Sequence, residues 1–177
     1  MYISTHFFKH KSITFIVRIS KPLINMALPD VFVQETIDQI LTRLEKLSFE
    51  SQPLWGKMNA PQMLAHLNVT YDLAFDRVKV KHNFLMKFML KTFVKNTVVN
   101  EVPFKKNSST APIFVIAEQR DFEKEKATFI QNLQDTMGKG RSYFEGKESV
   151  SFGILNSIEW NNMFYKHIDH HFSQFGL

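Results

Sequence analysis

Two short openings, NAPQ at 59–62 and NSIE at 156–159, constrain this chain more than anything else in it. Each sets an Asn three residues ahead of a Gln or Glu. At that spacing an N-cap side chain and an N3 side chain satisfy two orphan backbone N–H groups reciprocally. Pro61 falls in the first turn, where its missing N–H costs nothing. Both openings therefore predict helices, and the residues behind them agree. After Asn156, the residues Trp160, Phe164, His167, His171 and Gln174 recur every three or four positions, one stripe along a helix.

The rest of the chain reads the same way. Asp30 is a candidate N-cap for VFVQETIDQILTRLEKL, in which Val33, Ile37, Ile40, Leu41, Leu44 and Leu47 share a face. A further helix runs from about Asp121 to Met137, with Phe122, Phe129, Ile130, Leu133 and Met137 on its stripe and Gly138 as its stop. Residues 83–97, NFLMKFMLKTFVKNT, predict a helix with Lys87, Lys91 and Lys95 on one face. A core helix with a solvated lysine stripe is preferred there to one lying on an anionic membrane. EVPFKKNSSTAPIFVIAE is irregular, broken by Pro103 and Pro112. Strands are few. The expected fold class is all-α: an up-down four-helix bundle with an additional helix and a long irregular connection.

A chain of 177 residues with 18 Phe suits a single packed domain rather than a disordered polymer. The absence of cysteine excludes disulfides, thiolate metal sites and a cysteine nucleophile, and fits a cytoplasmic location. The sequence pI of about 9.4 suggests nucleic acid, but the basic excess is terminal. Residues 1–26 hold four basic residues and no acid, which leaves 18 basic against 17 acidic residues in the remainder. No nucleic-acid motif accompanies them. The opening 25 residues make a poor signal peptide, because Arg18 interrupts the patch ITFIV, and they fall short of the roughly 20 apolar residues that span a bilayer. They are expected to be a disordered extension or to lie upstream of a true start at Met26, with 26–177 as the domain.

Near the C-terminus HIDHH puts three histidines into five positions. On a helix His167 and His171 lie ~40° apart around the axis and ~6 Å apart along it, close enough to share an ion. His170 points ~60° to the other side, and Asp169 faces nearly opposite. His66, on the helix behind NAPQ, shares the core-facing side with Met63, Thr70 and Leu73 and offers a third imidazole. HxxxH by itself is weak, and hydrogen-bonded structural histidines remain the competing reading. HIDHH lacks the glutamate of a zincin helix, and no Glu-x-x-His pair exists for a di-iron site. There is no nucleophile elbow, no dinucleotide fingerprint and no complete phosphate loop. Tyr71 and Trp160 are expected in the core.

The blocks WGKMNAPQMLAHLN and EWNNMFYKHIDHHFSQFG, about 90 residues apart, resemble the DinB/YfiT-like superfamily of metal-dependent four-helix-bundle proteins, and within it a branch catalogued as a domain of unknown function. The resemblance runs from about Leu28 to the C-terminus. It implies that His66, His167 and His171 bind a divalent ion, nickel or zinc, and that the substrate is a small molecule. Some superfamily members are thiol-dependent transferases or isomerases that use low-molecular-weight thiols. The chain departs from the branch in one place: members usually carry His-Pro three residues before Phe-Gly, where Ser149 and Val150 precede Phe152 and Gly153.

The expected function is thus a divalent-metal-binding bundle acting as a thiol transferase or hydrolase, with His170 and Gln174 around the ligands, Gln174 orienting a ligand or water. The alternative is a non-catalytic bundle that binds a ligand or partner and uses its histidines structurally. A homodimer is compatible with either, membrane association ranks third, and nucleic acid ranks last.

Overall fold

The computed structural model describes residues 27–177, so the expectations for residues 1–25 and for a start at Met26 lie outside the described residues. The described chain is mostly helical. In order it forms α1 (Gln34–Leu44), α2 (Ala60–Ala74), α3 (Phe84–Met89), a π-helical turn (Leu90–Val94), α4 (Lys95–Val99), a 3₁₀ turn (Pro112–Phe114), α5 (Phe122–Phe144), the strands β1 (Glu148–Ser149) and β2 (Gly153–Ile154), and α6 (Ser157–Gln174). The strands pair antiparallel as a small hairpin before α6.

Both capping boxes form. Asn59 Oδ1 accepts from the Gln62 N–H and Gln62 Oε1 from the Asn59 N–H, at 2.9 and 3.1 Å. Asn156 and Glu159 repeat the exchange at 2.9 and 3.0 Å. α2 packs along α5, α1 lies on α5, and α6 contacts both α2 and α5. The residues at these contacts are those of the apolar stripes. Ile37, Ile40, Met63, Leu67, Phe129 and Leu133 are each no more than 1% exposed. Burying each such side chain contributes about 1.5–3 kcal/mol relative to exposure. Tyr71 and Trp160, each 2% exposed, lie in the core. Tyr71 stacks on Phe164 at 5.1 Å and 3°, and Phe144 meets Trp160 and Phe164, both at 5.5 Å.

A buried polar chain sets the register of α2 against α5. Asn132 Nδ2 donates to Asn68 Oδ1 at 3.0 Å, and Asn68 Nδ2 donates to Glu125 Oε2 at 2.8 Å. Arg77 closes it, donating to Asn132 Oδ1 at 2.6 Å. Sliding one helix along the other would leave the Asn68 and Asn132 amides buried and unpaired, at about 1–3 kcal/mol each.

Three expectations are corrected. Asp30 does not cap α1: the N-cap position is Val33, without a side-chain cap, and Val33 is 43% exposed. Asp30 instead accepts from the Phe32 N–H at 2.9 Å and from Arg141 at 2.6 Å, which pins the turn before α1 to the end of α5. Gly138 does not stop its helix. The break comes two residues later, at Gly140, φ 68° and ψ 179°, where α5 kinks, and the short helical turn beyond it carries Phe144 to a fully buried place in the core. The 83–97 helix is not a core element: Phe84, Leu85 and Phe93 are 86%, 67% and 66% exposed.

Candidate metal centre

α2 and α6 carry the three histidines to one point. His66 lies in the middle of α2 and His167 and His171 in the second half of α6, and one ring nitrogen from each falls within 4.8 Å of the others. The stripe expected on α6 therefore holds: Trp160, Phe164, His171 and Gln174 are buried, and His167 is partly so.

The nitrogens facing away from this point have partners that decide which ring atoms are available. His66 Nδ1 lies 2.8 Å from the Phe114 carbonyl, which can only accept, so Nδ1 carries the proton and Nε2 its lone pair. His171 Nδ1 lies 2.8 Å from Gln174 Oε1. Gln174 Nε2 donates to the Trp55 carbonyl at 2.7 Å, which fixes the amide orientation and makes His171 Nδ1 the donor. His167 Nδ1 is 2.8 Å from Thr70 Oγ1, and its Nε2 is 2.8 Å from His66 Nε2. Two proton arrangements fit His167. In one, its Nε2–H donates to His66 and the Thr70 hydroxyl donates to Nδ1. In the other, Nδ1–H donates to Thr70 Oγ1 and all three Nε2 lone pairs face a cation.

Burial is the leading cause of the electrostatics. It pushes His66 below its ordinary value, with a partly opposing contribution from the Phe114 carbonyl. It drives His171 down to about 3 and His167 well below normal, and mutual repulsion among the imidazoles adds to both. At neutral pH the three rings are therefore uncharged, the form that ligates a metal. Nitrogens bonded to one tetrahedral ion at about 2.0–2.1 Å sit roughly 3.4 Å apart, so small ring movements bring this cluster to fit. Three neutral imidazoles with outer partners make a donor set for an imidazole-preferring divalent ion.

His170 is outside the cluster, as its angle on the helix requires. Its ring packs at 6.1 Å from Trp55 and 5.8 Å from Phe104, beside a cleft of about 150 Å³ that also touches Tyr165, Lys166 and Asp169. Asp169 accepts from Arg43 at 2.8 Å. Ser149, the departure from the branch pattern, lies on β1 before α6. Ser157, the first residue of the helix that follows, precedes His167 by ten residues, ~15 Å along α6.

Sequence reasoning placed Thr70 on the His66 face without giving it a role. Its position one turn after His66 was the available signal. The Phe114 and Trp55 carbonyls had none, because both belong to irregular segments. Gly56 is also part of the support. It has φ +82°, and a Cβ there would run into the Gln174 amide. Only glycine lets the Trp55 turn approach that side chain without strain. Compared with protein-family models, with curated proteins and with solved structures, the chain finds no match in any of the three.

Proposed function

We propose that this is a mononuclear metal protein in a DinB/YfiT-like, up-down arrangement of α1, α2, α5 and α6. It holds one divalent ion, nickel or zinc, on His66, His167 and His171, and acts on a small molecule as a thiol transferase or hydrolase. The supporting observation is the convergence of three uncharged imidazoles whose Nδ1 atoms are each held by an outer partner. When bound, an ion with three protein ligands supplies Lewis acidity at its open positions. The chain's own residues do the rest. Phe114 and Gln174 keep the His66 and His171 protons on Nδ1, Thr70 Oγ1 accepts a hydrogen bond from the Nδ1–H of His167, and the Phe114 ring, 5.4 Å from His66 and 6.0 Å from His167, covers one side.

One observation favours the second reading. The 2.8 Å contact between His66 and His167 is also a good hydrogen bond in its own right, which suits structural histidines in a ligand-binding bundle. Metal content of untagged protein, with titration of zinc and nickel into stripped protein, separates the two. One ion per chain is expected. His66→Ala, His167→Ala and His171→Ala should each abolish tight binding, and His170→Ala should leave it nearly unchanged. A melting temperature indifferent to both metals would favour the structural reading, since an ion that binds only the folded state must raise it.

A further inference from the structure

The segment from 83 to 99 is a helical arm tied firmly at its C-terminal end, while its other end has one long contact just ahead of it, His82 Nε2 to Ser151 Oγ at 3.4 Å. Its root is tied to α6: Lys166 Nζ donates to the Thr97 and Asn100 carbonyls at 2.9 and 2.8 Å, Asn162 Nδ2 to the Val99 carbonyl at 3.0 Å, and Lys95 pairs with Glu159 at 2.8 Å. Its tip is bare. From Asn83 to Val94 every residue except Leu90 is exposed. Around the axis Leu85, Met86, Met89, Leu90 and Phe93 gather on one side, and Lys87 and Lys91 stand on the other beside the exposed Phe84 and Phe88. Large exposed apolar faces on a folded chain mark contact surfaces.

Charge says which partner suits this one. The arm, residues 83–99, holds Lys87, Lys91 and Lys95 and no acid, and of the three Lys95 is paired with Glu159. Residues 27–177 together carry a net charge of +1, so without the arm's three lysines the body carries −2. A basic amphipathic arm on an acidic body is attracted to an anionic plane while the body is repelled from it. A second copy is disfavoured, because pairing two arms would bring their unpaired Lys87 and Lys91 together with no acid between them. Spanning is excluded for the described residues, as no helix among them is long and apolar enough to cross a membrane.

We propose that this arm docks the protein on an anionic lipid surface, with Leu85, Met89 and Phe93 entering the headgroup boundary and Lys87 and Lys91 at the phosphates. The docking is independent of the histidine site. The test is co-sedimentation of the full chain with phosphatidylserine–phosphatidylcholine vesicles and with phosphatidylcholine alone, alongside Lys87→Glu/Lys91→Glu and Leu85→Ser/Phe93→Ser. Every arm of the experiment retains residues 1–26, and the substituted side chains are exposed, so melting temperatures should be unchanged. The parent should pellet with the mixed vesicles only and be released by salt. The lysine variant should bind at least roughly 25-fold more weakly, a factor of about five per lysine lost from an anionic surface. The apolar variant should bind about tenfold more weakly or worse. A parent that stays in the supernatant overturns the proposal, as do two variants that pellet like the parent. A dimer in sedimentation velocity that Leu85→Ser/Phe93→Ser dissociates would assign the face to a second copy instead.

Discussion

Acidification from pH 7.5 to 5.5 should weaken the fold through the histidine cluster, and His171 sets a magnitude. In the unfolded chain its imidazole takes up a proton near pH 6.5. In the folded protein burial and the neighbouring His66 hold it down to about 3. Between those values the unfolded state binds the extra proton, so stability is fully present above about pH 6.5 and is lost as pH falls toward 3. Each unit in that window costs about 1.4 kcal/mol per histidine, so His171 alone removes about that much by pH 5.5. His66 and His167 are displaced in the same direction and steepen the loss. Against a typical total of about 5–15 kcal/mol this is a large fraction. Urea unfolding at each pH, with a chelator present so that only protons compete for the rings, reads it directly. His171→Ala should begin less stable and yet show a slope shallower by about one proton. A free energy of unfolding that is flat from pH 7.5 to 5.5 would refute the reasoning, as would an unchanged slope in the variant.

Thr70→Val and Gln174→Leu remove outer partners and leave the three imidazoles in place, so zinc affinity measured by calorimetry should fall by roughly 10- to 100-fold in each without disappearing. Equal affinity in either would mean that the ring is oriented by packing alone. Gly56→Ala puts a side chain at φ +82° and against the Gln174 amide. It should cost about 1–3 kcal/mol in urea unfolding and weaken zinc binding along with the Gln174 variant. A loss of stability with full zinc affinity would uncouple the Trp55 turn from the site.

What could be read from the residues alone was what depends on near neighbours. The two capping boxes form because both partners lie within one turn, and the angles on α6 separate His171 from His170 because helix geometry is the same in every fold. Gly138 and Gly140 mark the boundary of that kind of reading. Either can adopt a positive φ, and the turn beyond the kink at Gly140 carries Phe144 to a buried place among Phe32, Trp160 and Phe164 that exists only after the helices pack. The 83–97 arm is a second case. Its periodicity says that one face seeks cover and is silent about what supplies it, so a helix packed inward and a helix on another surface have the same pattern. The histidines combine both kinds of information. The pairing of His167 with His171 is local, the arrival of His66 depends on α2 lying beside α6, and the proton placement on His66 and His171 rests on the Phe114 and Trp55 carbonyls, the latter through Gln174, from segments with no period at all. A backbone carbonyl carries no residue identity, so the features that decide whether these imidazoles can face a cation are those least visible in a list of side chains.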